Sequence, residues 1–447
     1  MLTPDIARDR ALDIVGRARA AGADAAEATL AASASIDVSV RLGALEDVGR
    51  SEEEELGLRV FVGRRSASVS SSDLSSQGMD ALVERAVAMA REAPEDKWAG
   101  LAPEDRLMTG PLPELDLYDD GEPAPASLKE AALAAEDAAR AVPGVTNSEG
   151  GGASASRLAW ALATSHGFAG AYQTSSHGIQ ASVLAGGGGA MVRDYAYHAA
   201  RHRRDLDSPE AIGRKAGERA VARVGSGKLS SGPMPVVFDP RVGSSLVGHL
   251  AGAISGAAIA RGTSFLLGKL GEAVFAPGIT IVDDPLRPQG LRSRPFDGEG
   301  LAVARTEIVR EGVLTTWLLD SASARQLAME PTGHAVRGGG AAGVSTSNAY
   351  IAPGAAGRDA LIGDIARGVY VTELIGMGVN GVTGDYSRGA AGFMIENGEI
   401  TRPVDEFTIA GNLIEMFAHL NAADDLEFRY PTNVPTLRID GMTVASG

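Results

Sequence analysis

Chemistry in this chain must come from histidines, carboxylates, hydroxyls and arginines, because it contains no cysteine. A zinc peptidase is announced by H-E-x-x-H, two imidazoles one helical turn apart with a glutamate to activate water. His198 and His202 have that spacing, but Ala199 stands where the glutamate belongs, and Arg201, Arg203 and Arg204 would repel a dication. The stretch is therefore expected to be a solvated or phosphate-facing surface. His166 and His177 precede glycines in turn-like sequence, His419 falls in a helical pattern, and all three read as structural. His249 and His334 could gather a metal only across a glycine-rich cleft. Gly376, Gly378 and Gly381 satisfy G-x-G-x-x-G, yet Val382-Thr383-Gly384-Asp385 after them is turn chemistry. The helix a dinucleotide loop needs is missing. Gly268-Lys269 lacks the phosphate-loop spacing, no G-x-S-x-G elbow occurs, and Asp283-Asp284-Pro285 reads as a strand ending in a turn.

The elements that must position these residues follow from periodicity. Residues 4–21 carry Ile6, Leu12, Ile14, Val15 and Ala18 near one helical stripe, and 76–92 form a second amphipathic helix. Ile36 to Leu42 and Leu56 to Val62 alternate as half-buried strands, with Glu52 to Glu55 between them expected at a solvated turn or strand end. Prolines 94, 103, 111, 113, 123 and 125 mark a connector. An alanine-rich helix (127–142), strands between 145 and 197 around the glycine run 186–189, and a helix near 208–224 make a second unit. A third begins with the strand 235–238 and an apolar Gly/Ala-rich helix at 241–259, then continues as glycine-broken strands. The expected organisation is an α+β domain (1–93), a Pro-rich linker (94–126), a middle α+β domain (127–232) and a β-rich domain (233–447). The fold class is α+β, with helix-and-antiparallel-sheet units ahead of a barrel- or sandwich-like domain holding one buried Gly/Ala-rich helix.

Composition excludes several roles. The 447 residues carry 41 Lys+Arg against 57 Asp+Glu, a formal charge of −16, so nucleic acid is not the expected partner. No apolar run is long enough for a bilayer, and the acidic start (Asp5, Asp9, Asp13) lacks a secretory layout, so a cytoplasmic location is expected. Glycine is abundant (57) and aromatics sparse (5%), which favours close backbone approaches over bulky plugs.

Several stretches together resemble the modulator-of-gyrase family of peptidases, TldD and PmbA (TldE). They are Arg261-Gly262-Thr263-Ser264 leading to Gly271-Glu272 and Ile281-Val282-Asp283-Asp284; 345–354; 368–374; 383–393; and Ile395-Glu396-Asn397-Gly398. The Thr383 to Phe393 run and Ile409-Ala410-Gly411-Asn412-Leu413 are similar to the PmbA branch. In this family TldD holds zinc through H-E-x-x-x-H on the helix before the Arg-Gly-Thr-Ser stretch, with a cysteine near the C-terminus. Ungapped counting places Val247 and Gly252 at the histidines and Gly248 at the glutamate, none of which can ligate or act as a base. The resemblance thus implies a chain with no catalytic residue and no metal of its own. It implies a cytosolic heterodimer with a TldD-like paralogue that supplies zinc, acting on unfolded proteins or peptides. Candidate peptide contacts are Arg261, Thr263, Ser264, Asn348, Asp385, Tyr386 and Arg388. The alternative is a homodimeric binding or regulatory protein, modulating a topoisomerase or a toxin–antitoxin pair without proteolysis.

Overall fold

A computed structural model describes residues 1–188 and 191–446; Gly189, the last of the glycine run, lies outside them. Helix α1 (Pro4–Ala20) starts at Thr3, whose hydroxyl accepts the Ile6 N–H at 3.4 Å, with Pro4 in its first turn. Its buried face is Ala7, Ala11, Ile14, Val15 and Ala18. The sequence stripe is corrected here: Ile6 and Leu12 are 45% and 42% exposed, because alanines let the helix sit close to the sheet. Strands β1 (Ala25–Arg41), β2 (Ala44–Val62) and β3 (Arg65–Ser71) follow, then α2 (Ser76–Glu92). After the proline-rich segment come α3 (Pro125–Arg140), β4 (Val145–Thr164), β5 (Ala169–Ala185), β6 (Val192–Ala200) and α4 (Pro209–Ala222).

These strands form one antiparallel six-stranded sheet in the order β3-β2-β1-β4-β5-β6, so both N-terminal units share a sheet. Alternation assigns its faces. Ala26, Ala28 and Leu30 of β1 pack with α1 and α2, while Val38 and Val40 pack with α3 and α4. The odd-numbered neighbours Glu27 and Thr29 point the other way, toward the C-terminal unit. The acidic row Glu52 to Glu55 is not at a turn. It lies inside β2, paired with residues 31–34 of β1, because the hairpin turn falls earlier, at Leu42 and Gly43.

The C-terminal unit contains β7 (Gly232–Phe238), α5 (Pro240–Ala253), α6 (Gly256–Ala260), β8 (Ile281–Asp283), β9 (Thr306–Arg310), β10 (Val313–Leu314) and α7 (Ser321–Leu327). The short strands β11 (Ala335–Val336), β12 (Gly343–Val344) and β13 (Ala349–Ile351) precede α8 (Arg358–Gly363) and β14 (Arg367–Ile375). Last come β15 (Asp385–Glu396), β16 (Glu399–Asn412), α9 (Leu413–Ala418), β17 (Leu420–Ala422), β18 (Thr432–Asn433) and β19 (Leu437–Ser446). Strands β16-β15-β14-β7-β19 close through a β16–β19 pairing into a five-stranded barrel. A second sheet, β10-β9-β8-β13-β18, lies beside it. Helix α5 is layered between β7 and β14 of the barrel and β13 and β18 of that sheet.

The helix expected over 241–259 is two helices. Ile254 and Ser255 leave the helical path because Leu318 pairs with them: its N–H donates to the Ile254 carbonyl at 3.0 Å, and the Gly256 N–H donates to its carbonyl at 2.7 Å. Nor is α5 wholly buried, since only Gly243, Leu246, Val247, Leu250 and Ala253 face the core. Among the described residues, no helix is long and apolar enough to cross a membrane.

The sheet and the C-terminal unit are joined by buried polar clamps. Arg325 donates to the carbonyls of Trp98, Gly100 and Leu101 at 2.8–3.0 Å, anchoring the proline-rich segment. Arg201, expected on a solvated surface, is 8% exposed and donates to the carbonyls of Ser175 and Gly290. Asp194 of β6 ion-pairs with Arg241 of α5 at 2.9 Å. Arg337 lies 2.7 Å from Glu27, both 3% exposed, close but not aligned as a hydrogen bond. At the same junction a Cβ on Gly57 would lie 2.4 Å from the Gly339 Cα.

Gly57→Ala meets backbone that cannot swing aside and should lose about 2 kcal/mol in denaturant unfolding, whereas Gly248→Ala, with nothing within 4 Å of its Cβ, should gain about 0.5–1 kcal/mol. Glu299, buried near Asp297 and Glu27, has a carboxyl raised to about 7, first by desolvation and then by Asp297. Below about pH 4.5 it is neutral folded and unfolded; stability falls as pH rises to about 7, and the full penalty persists above. Glu299→Gln should therefore leave stability unchanged at pH 4 and raise it by roughly 3 kcal/mol at pH 8.

Candidate functional site

The chain after α6 turns back through Arg261, Gly262, Thr263 and Ser264, and this loop meets the one preceding β15, where the Phe265 N–H donates to the Gly381 carbonyl at 3.0 Å. The segment 376–384 is loop, as its turn chemistry requires, and no helix follows it. Asn412, at the start of α9, ties it down. Its amide donates to the Thr383 carbonyl at 2.9 Å and to Asp385 at 3.2 Å, while its oxygen accepts the Ile414 N–H. Sequence reasoning did not single out Asn412, and only its place in the Ile409 to Leu413 run could have drawn notice.

Six of the seven candidate contacts gather around these two loops, with different capacities. Arg261 and Thr263 are exposed; the Thr263 hydroxyl donates back to Ala258. Ser264 is buried, and its hydroxyl accepts the Leu266 N–H. Asp385 is exposed, and hydrogen bonds from Thr383 and then Asn412 hold its carboxyl below the usual range. Asn348 lies apart, against the second sheet. Its amide donates to the Asp284 carbonyl and the Ser293 hydroxyl, and its oxygen accepts the Arg292 N–H, so it is committed to the fold. Asn348 also borders a cavity of about 230 Å³ lined by Arg201, Arg287, Phe428 and Tyr430.

Tyr386 and Arg388 occupy alternate positions on β15 and face α5. Tyr386 is 2% exposed, and burial pushes its hydroxyl up to about 12. The His249 ring stands edge-on to it, with centroids 5.9 Å apart. Desolvation, then the charge of Arg388, keep the imidazole below its ordinary pKa. His249 and His334 do not converge: His334 is held by Thr332 at 2.9 Å and lies 3.5 Å from Asp283.

The three positions that the resemblance matches to zinc ligands all lie on α5. Val247 is 2% exposed and packs in the core, while Gly248 and Gly252 lie one turn apart on the exposed face with open space beyond them. A buried isopropyl group and two bare α-carbons do not fit zinc. Among the described residues, no group of three or more His, Asp or Glu side chains is arranged to hold a metal ion.

Comparison with known proteins accounts for this architecture. The models for domain 1, the central domain and the C-terminal domain of the PmbA/TldA metallopeptidases match residues 26–90, 118–224 and 231–446. The chain is 38% identical to the metalloprotease PmbA of Escherichia coli O157:H7, covering 94% of this chain and 92% of that one. It is 37% identical to a PmbA homolog of Haemophilus influenzae over 95% and 93% of the two chains. A Bacteroides thetaiotaomicron structure described under the name modulator of DNA gyrase superposes with a TM-score of 0.92 at 28% identity, covering 100% of both chains. TldE from Thermococcus kodakarensis shares the fold, with a TM-score of 0.86 at 22% identity over 98% and 100%. The chain belongs to the PmbA/TldD metallopeptidase family and is of the PmbA type.

Proposed function

We propose that this chain is the non-catalytic subunit of a two-chain metallopeptidase, shaping the substrate cleft while a TldD-like paralogue supplies zinc and the water-activating base. One observation carries the reading. The helix that ungapped counting matches to the zinc-binding helix packs against the barrel and presents Val247 to the core and Gly248 and Gly252 to the outside. Relatives named metalloproteases support a peptidase activity for such an assembly, and the side chains on α5 argue that its chemistry lies in the other chain. Substrates on this reading are unfolded proteins or peptides in the cytoplasm. Arg261, Asp385, Tyr386 and Arg388 retain polar groups or rings that could meet them, whereas Asn348 and Ser264 serve local structure.

Stripped of side chains, the outer face of α5 lets another backbone approach closely, which suits an extended peptide or a neighbouring subunit. The test is to purify the chain alone and co-expressed with the paralogue. The expected result is a one-to-one complex by native mass, peptidase activity only in that complex, and zinc in the paralogue alone. Chelator-sensitive hydrolysis by this chain by itself would overturn the assignment. A stable homodimer that ignores the paralogue and retains gyrase or an antitoxin would favour the regulatory alternative.

A further inference from the structure

Where β15 meets α5, three polar atoms are shut off from solvent and have no hydrogen-bond partner among the described residues: His249 Nε2, the Tyr386 hydroxyl and Arg388 Nε. A buried polar group without a partner is costly to the fold. His249 and Tyr386 are in ring contact and both feel the charge of Arg388, so the three atoms form one neighbourhood and are not scattered packing faults. The neighbouring carboxylate cannot relieve them: Asp385 points to the opposite side of β15 and is held by Thr383 and Asn412.

All three groups can donate. Tyrosine offers O–H, arginine Nε–H, and a neutral imidazole a proton on Nε2. With His249 kept neutral, the cluster carries one positive charge from Arg388. What is missing is an acceptor with one negative charge and two oxygens to share among three donors, which is a carboxylate; a phosphate dianion would leave a second charge uncompensated. The α5 surface next to it is bare, because Gly252, three residues beyond His249, and Gly248 carry no side chain and have open space outside them.

We infer that His249, Tyr386 and Arg388 form a binding site for a peptide carboxylate, either the C-terminal group or an Asp or Glu side chain. The identity of the ligand as a peptide rests on the function proposed above; the need for an anion rests on the orphaned donors alone. Bound here, a carboxylate would be anchored in place, and no bond is made or broken by these residues.

The test titrates the full chain with acetyl-trialanine as free acid, with its C-terminal amide, and with amidated acetyl-Ala-Glu-Ala. The acid should bind at least tenfold more tightly than its amide. Arg388→Met should erase that preference, and Tyr386→Phe, which removes one oxygen and no packing, should weaken acid binding severalfold. If the amidated glutamyl peptide matches the free acid, the site reads side chains as well as termini; if it binds like the amide, the terminus alone is read. Thermal unfolding guards against misfolding: without ligand Arg388→Met should melt no lower than wild type, since it removes a buried Nε–H that has no partner among the described residues. Equal affinity for acid and amide in wild type, or a preference that survives Arg388→Met, would overturn the inference. Hydrolysis by the chain mixed with the paralogue is followed in parallel. Hydrolysis without acid–amide discrimination removes the carboxylate site and leaves the subunit reading standing, while discrimination without hydrolysis does the reverse.

Discussion

The main-chain pairing of residues 407–410 of β16 with 443–446 of β19 is the constraint on which the C-terminal unit depends. It turns an open sheet into a barrel and fixes the register of every strand in it. The parallel pair β7–β14 then offers a seat for α5, which Asp239 starts by capping the Arg241 N–H while accepting the Tyr370 hydroxyl. Once that seat is set, helical geometry does the rest. Val247 must turn inward, Gly248 and Gly252 outward, and His249 sideways toward β15. The site is thus a product of barrel closure, although none of its residues belongs to the closing pair.

The second determinant is the far face of the N-terminal sheet. One face is lined by alanines that bring helices close; the other carries Glu27, Thr29 and Trp160 against the C-terminal unit. Segments there run without regular structure, so their carbonyls need donors, and Arg201 and Arg325 supply them in groups. Arginine suits this because its planar fork serves several carbonyls at fixed angles. Aromatic contact of Phe296 with Trp160, Phe168 and Tyr172 completes the seam.

Local structure was largely legible in the sequence. The periodicity of 76–92 and 208–224, and the alternation of 56–62, give α2, α4 and the paired end of β2 within a few residues. What stayed hidden depends on partners distant in the chain. The merging of two N-terminal units into one sheet rests on β1 pairing with β4 across the proline-rich segment, and nothing local marks it. The break at Ser255 comes from Leu318, more than sixty residues on. Ile6 and Leu12 misled because alanine, not isoleucine or leucine, is the contact residue where a helix lies close. On α5, the valine at 247 and the glycines at 248 and 252 are readable as residue types, whereas the convergence of His249 with Tyr386 and Arg388 required the fold.

Glu52 to Glu55 have one further consequence. Strand β3 reaches only residues 56–62 of β2, so the stretch before them, although paired with β1, has no strand on its other margin among the described residues. Such a margin invites a second molecule to add on and propagate into fibrils. Consecutive glutamates, alternating across both sides of the strand, confront any approaching copy with its own like charges, and thereby oppose such edge-to-edge pairing.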